Sequence, residues 1–101
     1  MDFNEFDKLV IQDNLKKVES ALKDGYDVNK MGKYKTTHII SAVNPIHPDV
    51  SYEMIQLLLK YSADPHKKNQ LGIDAFQFTS DKQIIKMLKF HKLGKFADLL
   101  R

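Results

Sequence analysis

The chain has 101 residues, of which 43% are apolar and 29% charged, so it can build one modest core and is not composed like a disordered segment. It has no cysteine, which excludes disulfides and thiolate chemistry and suits a reducing compartment. The net charge of +3 conceals a division: residues 1–29 hold four lysines against seven acids, and residues 30–101 hold twelve Lys and Arg against six acids. Such a division can orient an approaching partner.

The first residues, MDFNEFDKLV, are acidic and amphipathic. They lack the basic start and apolar run of a signal peptide. No apolar stretch approaches the ~18 residues of a membrane span. A cytoplasmic protein without membrane contact is expected.

A first helix is predicted over residues 2–12. Asp2 can cap it, with Glu5 at the capping-box spacing, and Phe3, Phe6 and Val10 share a face with Leu9 beside it. Asp13 and Asn14 break the pattern and can cap a second helix over 14–24, with Leu15, Val18 and Leu22 as its stripe and Ala21 alongside. Gly25 supplies an inexpensive helix end. So short a connection requires the two helices to be antiparallel.

Residues 26–36, YDVNKMGKYKT, carry no helical stripe and predict an extended, hairpin-like connection with an exposed tip. Thr36 or Thr37 can cap a short third helix in which Ile39, Ile40 and Val43 share a face. Pro45 and Pro48 stop it, and NPIHPD (44–49) becomes a rigid loop. A fourth helix over 50–61 carries Tyr52, Met54, Ile55, Leu57, Leu58, Leu59 and Tyr61 around most of its circumference, which predicts the centre of the core. Pro65 prevents its return.

Residues 64–73 predict a second extended connection, and residues 74–79 a short helix with Ala75, Phe76 and Phe78. Ser80 and Gln83 have capping-box spacing for a last helix over 81–92, with Ile84, Met87 and Leu88 inward and Lys82, Lys86 and Lys89 outward. Gly94 is expected to end it. Residues 95–101 can add a turn or two, with Phe96, Leu99 and Leu100 on one side.

The chain repeats itself. Asn14–Asn29 and Ser51–His66 align without a gap at a spacing of 37 residues: Leu15 falls on Tyr52, Val18 on Ile55, Ala21 on Leu58, Leu22 on Leu59, Lys23 on Lys60 and Asp27 on Asp64. Internal similarity at this period points to stacked units. The alternation of short helix, tight turn, longer helix and polar hairpin resembles the ankyrin repeat. That family ends its second helix in V-x-x-L-L-x-x-G-A-D-x-N. Val18, Ala21, Leu22, Gly25, Tyr26, Asp27 and Asn29 stand for that pattern, and Ile55, Leu58, Leu59, Ser62, Ala63 and Asp64 stand for it again. THIISA at Thr37 and GIDAFQFT at Gly72 stand for the family's TPLHxA region, but both lack its proline and histidine.

The resemblance covers nearly the whole chain. It implies an all-α fold, an ankyrin-like stack of antiparallel helix pairs joined by hairpin-like loops. The single domain would hold repeats at about 2–29, 30–66 and 67–92 and a cap at 93–101.

The four histidines form no HExxH and no recognised metal spacing with acids. The four glycines are isolated, so no phosphate loop is expected, and no nucleophile elbow or triad motif can be placed. Neither catalysis, a cofactor nor a small-molecule substrate is expected. The chemistry that stands out is basic: Lys30, Lys33, Tyr34 and Lys35 at the first hairpin, with His38 at the following helix start, and His66, Lys67, Lys68 and Asn69 at the second. Solvation alone accounts for any single lysine.

In stacked repeats, equivalent loops line up. Ankyrin-like proteins bind partners through hairpin tips and first helices, and the resemblance carries that use over to these positions. A tyrosine among lysines suits an acidic protein surface. Ile46 and His47 in the proline-rich loop offer either a second rigid contact or a tolerated insertion. The expected function is one-to-one capture of a partner protein, for example as an immunity-type or antitoxin-type inhibitor. Nucleic-acid binding through the same basic ridge is the alternative, although no base-stacking platform accompanies it.

Overall fold

The computed structural model describes the backbone of residues 1–99 and the side chains of residues 1–91. All regular structure among the described residues is helical. In order come α1 (Phe3–Ile11), α2 (Leu15–Lys23), a 3-10 turn (Lys33–Lys35), α3 (His38–Val43), α4 (Tyr52–Lys60), α5 (Ala75–Phe78) and α6 (Lys82–Leu99). Among the described residues no helix is long and apolar enough to cross a membrane.

Capping chemistry explains where the helices begin. Asp2 accepts from the Glu5 N–H (2.8 Å), Asn14 from Lys17 (3.2 Å), Thr37 from Ile40 (3.3 Å) and Ser51 from Met54 (3.1 Å). The Glu5 N–H also holds the Asp2 carboxyl below the usual carboxylate range. At α5 the bonds are reciprocal: Asp74 accepts from the Gln77 N–H (3.2 Å) and Gln77 from the Asp74 N–H (3.0 Å). The cap of α6 differs from expectation. Asp81, not Ser80, accepts from the Gln83 and Ile84 N–H groups (2.8 and 3.3 Å), because Thr79 Oγ1 accepts the Asp81 N–H and turns the chain one residue later.

Helix ends are equally local. Asp13, Gly25 and Ser62 follow α1, α2 and α4 with φ of 58°, 99° and 74°. Each lets the next N–H reach back five residues: Asn14 to Leu9, Tyr26 to Ala21 and Ala63 to Leu58, at 2.9 to 3.0 Å. At Gly94 the expectation fails. The α6 backbone continues to Leu99, since one glycine costs a helix only about 1 kcal/mol. The expected apolar side of Phe96, Leu99 and Leu100 lies outside the described side chains.

The 37-residue spacing recurs in these roles. The N-caps Asn14 and Ser51, the left-handed Gly25 and Ser62, and the caps Thr37 and Asp74 are all that far apart. Asp27 and Asp64 each accept from the N–H two residues on, Asn29 and His66 (both 2.9 Å). The hairpins repeat as well: Gly32 N–H donates to the Thr36 carbonyl, and Asn69 N–H to that of Ile73, both at 2.9 Å. Neither hairpin contains a strand.

Packing joins α1 to α2, α3 to α4 and α5 to α6. It also joins α1 to α3 to α5, and α2 to α4 to α6. The helices therefore lie in two rows. Side chains stitch the units together. Asp13 accepts from the Ser51 N–H (3.1 Å) and hydroxyl (2.8 Å). Asn29 donates to the Ser62 carbonyl (2.9 Å) and accepts from the Asp64 N–H (2.8 Å). The Tyr52 hydroxyl donates to Asp81 (2.7 Å), which holds the Asp81 carboxyl below its ordinary value and the Tyr52 hydroxyl above its own. That link is present at neutral pH and is lost as the pH falls through the lowered Asp81 value.

The core departs from expectation in one respect. In α4 only Met54, Ile55, Leu58 and Leu59 are buried, whereas Leu57 and Tyr61 are half-buried and Tyr52 is exposed. The helix enclosed on all sides is α3: all six of its residues, polar ones included, are buried. It packs against α1, α4 and α5 together, which leaves no solvent face.

Candidate functional site

The two hairpin tips lie side by side. The Gln70 N–H of the second donates to the Tyr34 carbonyl of the first at 2.8 Å. This bond brings Lys33, Tyr34 and Lys35 next to Asn69, Gln70 and Leu71. Tyr34 is 62% exposed and Leu71 81% exposed. The Lys33 ammonium lies 5.2 Å from the centre of the Tyr34 ring, a cation–π distance. Lys30, Lys35, His66 and Lys68 are exposed, and Lys67 and Asn69 are half-buried.

The Asn69 side chain is committed to the fold, since Oδ1 accepts from the Leu71 and Ile73 N–H groups (2.9 and 3.0 Å). His66 packs against Phe76 (5.1 Å between ring centres), and Lys30 sits 5.9 Å from the Tyr26 ring. Leu71 and Gln70 were not among the expected contact residues. A large apolar residue beside Gly72 in a polar loop was the available signal.

His38 leaves the expected surface. It is 0% exposed, stacked on Phe3 (4.1 Å, 15° between planes) and tilted against Phe6 (4.5 Å). Its Nδ1 lies 2.7 Å from Asp7 Oδ1 and its Nε2 lies 2.7 Å from the Tyr26 hydroxyl. A carboxylate only accepts, so Nδ1 carries a proton, and in the neutral ring Nε2 accepts from Tyr26. Ser41 donates to the other Asp7 oxygen at 2.9 Å. Acid, imidazole and hydroxyl are thus in line, the order found in nucleophilic enzymes. Here the rings of Phe3 and Phe6 cover the imidazole, and the network ties α1 to α3 and to the first hairpin.

Burial, together with the charges of Asp7, Asp27 and Asp2, pushes the Tyr26 hydroxyl up to about 12. Between pH 10 and 12 the folded protein therefore keeps a proton that the unfolded chain has lost. Stability is expected to decline across that window as pH rises. Tyr26→Phe should remove the last step of an ultraviolet tyrosine titration and flatten the decline.

At the other end of the molecule, the loop 44–50 and the turn at 79–81 enclose an open groove of about 760 Å³. Ile46 is 74% exposed, as a protruding contact requires. His47 was expected to be exposed but is half-buried, because its Nδ1–H donates to the Ser41 carbonyl (2.8 Å) and folds the ring inward. The loop therefore does not place both side chains on a shared outer face. Among the described residues no three His, Asp or Glu are grouped to hold a metal ion.

Among the described residues all regular structure is helical, and the tips combine exposed apolar and basic side chains. No protein-family profile matches the sequence, and no curated protein matches it.

Proposed function

We propose that the chain is a small ankyrin-like module that binds one partner protein through its hairpin tips, and that it acts by occupancy rather than catalysis. The partner presents an acidic face. Blocking that face would make the protein an inhibitor of the immunity or antitoxin type, acting in the cytoplasm. The observation that carries this reading is the hydrogen bond from Gln70 N–H to the Tyr34 carbonyl, which merges two loops into one surface. An exposed tyrosine among cations is the composition of an interface anchor. Dispersed lysines favour rapid, salt-dependent encounter with an acidic protein. The ankyrin-like reading draws support from the two rows of helices and from the capping and hairpin bonds that recur at the 37-residue spacing.

The test uses immobilised protein to capture its partner, followed by association kinetics across ionic strength. Reversing the charge at Lys33, Lys35, Lys67 and Lys68 should slow association and flatten its salt dependence. Unchanged kinetics in that variant would remove the tips as the binding surface. A mobility shift of RNA or DNA at low salt that is lost in the same variant would transfer the surface to phosphate recognition.

A further inference from the structure

The two hairpins close with the same backbone bonds but fill one position differently. Lys35 donates its N–H to the Gly32 carbonyl (3.1 Å), and Gly72 donates to the Asn69 carbonyl (2.9 Å). Both residues are left-handed, with φ of 58° and 77°. Glycine adopts that conformation freely, whereas lysine does so at a cost. Tyr34 adds a second left-handed residue beside it, at φ 59°. Both side chains are exposed, so the core gains nothing from them. Strained backbone of this kind clusters at binding and active sites.

A second feature lies against the first. Tyr34 and Leu71, with Thr36, Asn69 and Gln70, line a notch of about 490 Å³ between the tips. Two large apolar side chains therefore stand open to solvent in the basic part of the molecule.

We infer that this notch seats one apolar side chain of an acidic partner segment, with Tyr34 and Leu71 as its walls and the Lys35 ammonium against the flanking carboxylates. The inference rests on the acidic-partner reading and adds the element that is recognised. Charge complementarity selects an acidic segment, and the paired apolar walls select an apolar residue within it. Lys35, next to Tyr34 in the chain, carries an exposed cation at the position where the second hairpin has Gly72.

The probe is an end-blocked oligoglutamate peptide with a single central leucine, compared with its counterpart carrying serine there. Amide shifts of the isotope-labelled protein report where each peptide binds. The leucine peptide is expected to bind roughly tenfold or more tightly than the serine peptide, the ratio that burying such a side chain provides, and to move the signals of Tyr34, Lys35, Gln70 and Leu71. Leu71→Ser, at a solvent-exposed position, should abolish the difference while the protein remains folded. Equal affinity for the two peptides overturns the notch and leaves the acid-binding surface standing. If neither peptide moves the tip signals, the acid-binding reading itself falls, and the notch with it. Lys35→Gly should raise the melting midpoint by about 4–8 °C while weakening the leucine peptide. An unchanged midpoint overturns the strain argument, and unchanged affinity overturns Lys35 as a contact.

Discussion

Leu58→Ala is expected to cost about 2–5 kcal/mol of folding stability. Leu58 is 0% exposed, and α4 packs against α2, α3 and α6. Removing its isobutyl group leaves a cavity within the buried core cluster, on a helix packed against three others. The Leu58 carbonyl also accepts the Ala63 N–H that ends α4, so collapse around the gap would disturb the turn. A domain of this size has a total stability of only about 5–15 kcal/mol, so the loss is a large share of it. Urea denaturation should show a lower midpoint with an unchanged slope. A loss below about 1 kcal/mol would mean that the buried face of α4 is not tightly packed at Leu58.

Asp7→Ala should be nearly as damaging, at about 2–4 kcal/mol, and for a different reason. Its carboxylate takes two hydrogen bonds, from the His38 ring and from the Ser41 hydroxyl, and both donors are buried. Alanine strands them away from water. Because both donors share one acceptor, the penalty cannot be divided between them, and Ser41→Ala combined with Asp7→Ala should cost less than the two changes summed. Asp7→Asn has the same shape and retains one acceptor oxygen, so it should lose less than Asp7→Ala. Equal losses for Asn and Ala would show that the hydrogen bonds contribute little. Thermal or urea unfolding of the four variants gives the comparison.

The two variants also mark what a linear sequence conveys. Leu58 was legible because its role is set by neighbours on one helix and by a gapless self-alignment. The cap Asn14 and the turns at Gly25 and Ser62 were legible too, because they obey short-range chemistry, whereas Ser51, which caps α4, fell inside the helix expected over 50–61. Asp7 and His38 were not legible as a pair. They lie 31 residues apart, and nothing local to either marks a partner. His38 looked like a surface residue at a helix start, and only the rings of Phe3 and Phe6 make it interior. The six residues of α3 are too few to show a period, so its complete burial was hidden as well. At the tips the lysines and the tyrosine could be read directly. The strain could have been read too, since the 37-residue spacing sets Lys35 on Gly72, but the paired notch depends on a backbone bond between two separate loops.

The side-chain clasps between helix pairs bear on how the protein comes apart. Asn29 joins the turn after α2 to the turn after α4, and Asp13 joins the end of α1 to the start of α4. The first two pairs are thus fastened at both ends, in addition to their apolar contact. In a linear array, cooperativity is set by the coupling between neighbouring units relative to the stability of each. With two polar fasteners and a common core, α1 through α4 are expected to open together as one cooperative unit. The Asp64 amide, held by Asn29, reports on that unit directly: its hydrogen exchange follows separation of the first two pairs, not fraying at either end of the chain.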